Sequence, residues 1–493
     1  MEPSLHGAQL AAKSSEDDAG MDRLSALPND VLLRILLRLE DAAVAGRTSV
    51  LSSRWRRLWA LLPELRFHSS REPRLIASAL LAHEAALSCL DVGAEDAAPE
   101  SVAAWLPVAA RRLSGSLVFT NRVPGKKNAN EDGEERGAFE LPCLANATGV
   151  SLDLGCLGVS VPRAGVFARL TELSLSRVQF RGGPCALGDA VSSRRCPCLE
   201  KLTVRDALGP SDLAIRSDSL RHMELADVRG LRRLTVVVPA LEHLTVVACF
   251  YHHHPNRPVA NITARQLKEL RWGDMFDRRS VQLGKMKHLQ CLCPDILLVY
   301  GSSPNRSCIE LLRCFKVIQK LSLTLIYPPD IDDQPYLLGD MKILPGATLL
   351  HLSLTSNGHA FGASLFHVLR LCSGTRKLAL KLFSDSLEEQ TVFPPGCICD
   401  EQQNWKTEEL LLNQLRELEI TELRGSENEV TFVKQLFKWA TVLKRMKLTF
   451  NSLVKESVAE RFYKILQSFS RPEICMEFYM YKDMMEVLYA PED

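Results

Sequence analysis

The 493-residue chain lacks a long apolar run. None approaches the roughly 18 residues of a membrane-crossing helix, so the sequence points away from an integral membrane protein. An excess of either charge is missing too, with 60 Lys and Arg against 59 Asp and Glu and a formal net charge of +1. That balance supplies no long-range pull toward nucleic acid or an anionic membrane. The start, MEPSLHGAQLAAKSSEDDAG, has no cationic stretch followed by an apolar block; residues 1–21 read as a polar, disordered leader rather than a secretory signal. The 15 cysteines form no even, regularly spaced framework. Scattered thiols fit a reducing compartment, the nucleus or the cytoplasm, and there the glycosylation-like triplets at Asn146, Asn261 and Asn305 carry no meaning. No glycine-rich phosphate cradle, nucleotide fingerprint or G-x-S-x-G elbow occurs. His83-Glu84 begins like a zinc-protease helix, but Leu87 stands where the second histidine is needed. The sequence therefore predicts no catalysis by this chain and no cofactor.

What is present begins with Leu24 to Trp59, LSALPNDVLLRILLRLEDAAVAGRTSVLSSRWRRLW. Pro28 suits a first helical turn, where a missing N–H costs nothing. Val31, Leu32, Ile35, Leu36 and Leu39 recur at helical spacing and form one apolar stripe. Asp41 is placed to cap a second helix through Ala42, Ala43 and Val44, and Ser52 a third in which Trp55, Leu58, Trp59 and Leu62 share a face. Pro63 cannot continue that helix. A unit of about 40 residues cannot bury an adequate core alone. Its apolar surface needs a cover, either the chain's own following domain or another polypeptide.

The body of the chain changes character. Strand candidates at Leu87–Val92 and Ser116–Phe119 flank a predicted helix from Pro99 through Trp105 to Arg112. Residues 122–137, RVPGKKNANEDGEERG, are charged and aperiodic and read as a mobile loop. A degenerate leucine-x-x-leucine-x-leucine unit then returns, beginning at Leu170, Leu199, Leu220, Leu241, Leu267, Ile318, Leu349, Leu415 and Leu443, with an extra, closely spaced copy at Leu231. Copies at Leu199, Leu220 and Leu241 are 21 residues apart; later gaps widen to 26 and 31. These are the range and register of leucine-rich repeats with insertions. Each unit contributes a short strand, and parallel stacking buries the leucines in a continuous ladder. The alternate polar residues, Thr203, Glu224, Thr245 and Ser353 among them, are then expected to line an open strand face.

Two stretches resemble known modules. Leu27-Pro28 before an apolar helix, with Thr48-Ser49-Val50-Leu51-Ser52 running into Arg54-Trp55-Arg56-Arg57-Leu58-Trp59, resembles the plant F-box. From about Trp405 to Tyr481 the chain resembles the FBD domain of plant F-box proteins. The matching residues there are Leu415–Ile420, Gly425, Glu429–Val433, Leu436-Phe437-Lys438, Ala440 and Val442–Leu448. The resemblance implies an α/β fold: a three-helix F-box over residues 22–68, an irregular leucine-rich-repeat solenoid over 69–404, and FBD-like repeats and a cap over 405–493. It also implies that the F-box docks on a Skp-family adaptor, and through it a cullin, using Leu27, Pro28, Val31, Ile35, Leu36, Leu51, Trp55 and Leu58. The repeats would then present an unknown target protein for ubiquitination. A non-degradative scaffold that sequesters partners through the same repeats is the alternative.

Other constellations weigh less. His252-His253-His254 offers imidazoles, but adjacent residues on an extended turn point apart. The pairs Cys196/Cys198, Cys291/Cys293 and Cys397/Cys399 are narrower than usual zinc pairs, although Asp400 adds an oxygen donor beside the last. Buried thiols behave as small hydrophobes, so no metal is assigned. Arg54, Arg56 and Arg57 form a basic edge beside Trp55, which with balanced net charge fits a solvated or adaptor-facing edge better than a nucleic-acid site.

Overall fold

A computed structural model describes residues 27–39, 41–68, 73–124, 136–162, 164–181, 186–209, 211–250, 259–302, 305–383, 397–401, 403–482 and 485–489. The expected leader, most of the 122–137 loop and the His252–His254 run lie outside these residues.

Three short helices open the described chain: α1 (Asn29–Leu37), α2 (Ala42–Arg47) and α3 (Ser53–Trp59). Pro28 sits at the N-cap of α1, one residue earlier than a first helical turn. The other two caps follow the sequence: Asp41 accepts a hydrogen bond from the Ala43 N–H at 2.6 Å, and Ser52 accepts one from the Trp55 N–H at 3.5 Å. A single 3-10 turn, Thr48–Val50, joins α2 to α3.

The next strand, Glu64–Phe67, already belongs to the repeat sheet. It pairs in parallel with the strand Leu87–Glu95, which pairs with Leu113–Arg122 and onward with Gly149–Asp153 and Glu172–Phe180. From there the ladder runs through each leucine unit to Cys475–Lys482. All of these pairings are parallel; among the described strands, Met485–Leu488 turns back antiparallel on Cys475–Lys482 at the end of the sheet. Every leucine unit read from the sequence supplies one strand of this ladder, except the copy at Leu231. That copy forms Arg233–Val237 in a separate four-stranded sheet with Asp212–Arg216, Val259–Thr263 and Val281–Leu283. Repeats only 21 residues long have room for a strand on each face and none for a helix between them.

Alternation fixes which side chains enter the core. In Lys201–Leu208 and His222–Arg229 Leu202, Val204, Met223, Leu225 and Val228 are buried, and the alternate positions point to the other side of the sheet. The parallel register stacks these positions on their counterparts, so the core is one continuous ladder from Leu32 to Tyr489. Arg177, Asp206, Asp227 and Ala248 occupy the same place in successive strands and all take left-handed backbone, with φ between 48° and 53°. The pairing skips each of the first three, as expected where one residue bulges out of a strand.

The C-terminal region continues the same sheet. Helix Glu427–Trp439 starts at a capping box in which Ser426 accepts from the Glu429 N–H. The buried Glu429 carboxylate accepts in turn from the N–H groups of Arg424, Gly425 and Ser426. Gly425 is left-handed at φ 78°, which lets the chain turn into that nest.

Candidate functional site: an apolar helical face and an open strand face

The expected adaptor-facing residues divide into two sets. Leu36, Trp55 and Leu58 are buried inside the module together with Leu32 and Leu62. A rigid docking partner cannot reach them, so their assignment to the contact surface is corrected: they are the module's own core. They are apolar at the right spacing because helices this short must pack on one another. Leu27 and Val31 are half-buried, and Pro28 is exposed. Ile35 and Leu51 are exposed, Leu51 at 66%.

Sequence reasoning missed the most exposed member. Val50, in the turn between α2 and α3, is 86% exposed, and Leu37 and Val44 are exposed as well. The signal was available: Val50-Leu51 are adjacent apolar residues in a turn, where helical periodicity cannot hide both. Apolar side chains thus project from α1, α2 and the turn while the module beneath them is already packed.

Three polar side chains tie this surface together. Arg54 ties α3 to the start of α1 by donating from Nε to Asn29 Oδ1 at 2.9 Å and from Nη2 to the Leu27 carbonyl at 2.5 Å. It is therefore turned away from the basic edge, which leaves Arg56 and Arg57 exposed alone. Asp41, besides capping α2, accepts from the His68 N–H at 3.0 Å. The Trp59 indole donates to the Ala42 carbonyl at 3.2 Å. At the junction with the repeats, the buried His83 ring lies 2.8 Å from the Leu62 carbonyl and meets the edge of Trp59. Burial is the largest influence on that imidazole and lowers its pKa.

The second face is the outward side of the repeat sheet. Register places Ser174, Thr203, Glu224, Thr245, Arg271 and Cys293 in one row across it. Ser353 falls in the row of Thr324 and Lys381 instead. Thr203, between Ser174 and Glu224, is buried, so its expected place on an accessible surface is corrected. Thr245 and Ser353 are half-buried. Glu224 is held by Arg205 in a two-pronged pair at 2.8 and 2.9 Å. Beside it, Glu242 binds Arg221 at 2.9 Å and Lys268 at 2.7 Å, and its pKa is lowered, first by the Lys268 hydrogen bond. One row over, His222 and His243 stack with ring centres 4.5 Å apart, and His243 Nδ1 lies 3.3 Å from Glu269. The stretch from Lys201 to Cys293 is thus a cross-linked polar lattice, suited to a partner that brings charges and hydrogen bonds.

Among the described residues no cysteine is joined in a disulfide. No described helix is long and apolar enough to cross a membrane.

The F-box domain model matches residues 24–67, and the leucine-rich-repeat model of FBD-associated F-box protein At5g56370 matches residues 102–286. The chain carries an F-box followed by FBD-associated leucine-rich repeats. The F-box match spans all of α1, α2 and α3. The chain is similar to F-box/FBD/LRR-repeat protein At4g03220 of Arabidopsis thaliana, 25% identical over 470 residues, covering 90% of this chain and 92% of the relative. It is also similar to FBD-associated F-box protein At3g52670 of that plant, 29% identical over 242 residues, where it spans 54% of the relative's length. Both names carry F-box and FBD, and the first also carries the leucine-rich repeats.

Proposed function

We propose that this chain is the substrate-recognition subunit of an SCF-type cullin ubiquitin ligase, working in the nucleus or cytoplasm. The F-box docks on a Skp-family adaptor through Leu27, Pro28, Val31, Ile35, Leu37, Val44, Val50 and Leu51. The outward strand face holds a target protein, with Thr245, Glu224 and Ser353 among its contacts. The carrying observation is the apolar exposure of Val50 and Leu51 on a module whose core is already complete. Isolated exposed leucines mean little, but several projecting from one small rigid unit mark an interaction surface.

The chain itself carries out no bond-making chemistry in this reading. The adaptor and cullin hold the bound target near a ubiquitin thioester, and the high effective concentration of the target lysine accelerates transfer. Affinity for the adaptor arises mainly from burying a few apolar side chains at the centre of the contact. The test is a binding measurement between the full-length chain and the adaptor. Wild-type chain is expected to co-purify with it, and Val50→Asp with Leu51→Asp to abolish the complex while the fold persists. Unchanged binding by that folded variant places the interface elsewhere.

A further inference from the structure

The strongest unassigned feature lies where the repeats meet the C-terminal region. His359 sits in the turn after the strand Gly346–Thr355, and Cys397 and Cys399 lie at the start of the short helix Ile398–Glu401. Thirty-eight residues separate the histidine from the first cysteine, so nothing in the local sequence pairs them. The fold brings them together. Cys397 Sγ lies 3.5 Å from His359 Nδ1, and the two sulfurs are 3.1 Å apart. All three donor atoms lie within 4.8 Å of one another. His359 and Cys399 are buried, and Cys397 is half-buried.

We infer that His359, Cys397 and Cys399 form a zinc site that clasps the turn before the helix Gly362–Leu371 to the segment leading into the C-terminal repeats. The geometry carries it. Zinc bound to thiolate at about 2.3 Å and to imidazole at about 2.0 Å sets tetrahedral edges of about 3.8 Å between sulfurs and about 3.5 Å between sulfur and nitrogen. The His359–Cys397 edge is already at that length, the His359–Cys399 edge lies within 4.8 Å, and the sulfurs need to separate by less than about 1 Å. They are also well beyond the ~2.05 Å of a disulfide.

The donor chemistry agrees. Two sulfurs and one imidazole suit a borderline-soft divalent ion and disfavour calcium or magnesium, which take oxygen ligands. Burial is the largest influence on the His359 ring and lowers its pKa, favouring the neutral imidazole that a metal needs. The ring stacks on Tyr327, with the backbone of Pro328 and Pro329 beside it, so its orientation is fixed before an ion arrives. Binding converts two thiols to thiolates and releases two protons to solvent. Three protein donors leave one tetrahedral corner for a fourth ligand such as water. The Asp400 side chain lies outside the described residues and has no part in the assignment.

A second cluster, Glu269 with Cys291 and Cys293, serves as the internal control. Its thiols are 3.7 Å apart on one strand, but its carboxylate is already engaged by His243.

The experiment uses full-length chain purified in reducing buffer, loaded with zinc, freed of excess metal and analysed for metal per chain. About one zinc is expected. The Cys291→Ser, Cys293→Ser variant keeps it, whereas Cys397→Ser, Cys399→Ser and His359→Gln each lower zinc affinity at least ~10-fold. Cobalt in place of zinc should give tetrahedral visible bands and a thiolate charge-transfer band in the parent and the control variant only. Metal-free parent and metal-free Cys397→Ser should melt together, which separates lost ligation from lost folding. Parent chain that holds no zinc overturns the assignment. So does zinc retained by a Cys397→Ser, Cys399→Ser double variant.

Discussion

The F-box module and the repeat sheet use the same apolar residues to opposite ends. In the sheet, Leu202, Leu225 and Leu244 are fully buried, because each strand is covered by neighbours in register on both sides. In the module, Leu32 and Leu36 are as deeply buried, yet Val50, Leu51 and Val44 stand in solvent. A repeat passes its incomplete face to the next repeat, and the final hairpin ends the series. The module passes one side to the repeats through His83 and the strand Glu64–Phe67, and among the described residues its other side stays exposed at Val44, Val50 and Leu51. Incompleteness on a rigid base, rather than apolar content, distinguishes a docking surface from a core.

The comparison breaks most visibly in the solenoid core. Trp272 is buried between Phe250 and Phe276, and its indole N–H donates to the Met275 carbonyl at 3.4 Å. Trp272→Ala should cost about 3–5 kcal/mol of stability, read as a lower denaturant midpoint. Within the module, Leu36→Ala should cost about 2–5 kcal/mol, because Leu36 is core and not contact surface. A Leu36→Ala variant that keeps its stability and loses only adaptor binding would reverse that division.

Acid should loosen both regions by one mechanism. Burial leads the causes that lower the pKa of His83, His222, His351, His359 and His367. Each binds its proton less readily folded than unfolded, so the unfolded chain takes up more protons as pH falls below the ordinary value of 6.5. Stability should therefore drop between pH 6.5 and 5, by up to about 1.4 kcal/mol per pH unit for each proton involved. Asp274 opposes this. Burial pushes its carboxyl up to about 7, so its contribution is full below the ordinary value of 3.8 and is lost as pH rises toward 7. Asp274→Asn should steepen the acid loss, as measured by urea midpoints at several pH values.

The open strand face should respond least. Arg205→Ala removes an exposed partner of Glu224, and such pairs contribute about 0.2–1 kcal/mol. A larger loss of stability would mean that the polar lattice holds the sheet together rather than waiting for a partner.

Much of the architecture was legible because leucine spacing and strand alternation are the same physical fact. The caps Asp41 and Ser52 and the turn at Gly425 could be read for similar reasons, since few residue types satisfy a helix start or a left-handed backbone. The strand at Gly149–Asp153 escaped notice because Val150 and Leu152 lack the leading leucine, and Lys377–Phe383 because Thr375 stands where that leucine would be. The direction of the F-box stripe was not legible either. Periodicity shows that Ile35 and Leu36 are apolar, but only the packing of three helices decides that one is buried and the other exposed. Thr203 was misplaced because alternation says which way a side chain points, not whether its neighbours cover it. His359 was invisible beside Cys397 because their proximity is made entirely by the fold.

The central claim is that the exposed turn of the F-box, and not its buried stripe, is what a Skp-family adaptor grips. It is tested most directly by the dissociation constant of full-length chain for the adaptor, measured for the parent and for Val50→Asp, Leu51→Asp, with the denaturant midpoint of each. The account predicts a midpoint shift of under about 0.5 kcal/mol together with at least a ~100-fold loss of affinity, as expected when central apolar anchors are replaced by charge. A variant that binds the adaptor as tightly as the parent does, with its fold intact, would contradict it.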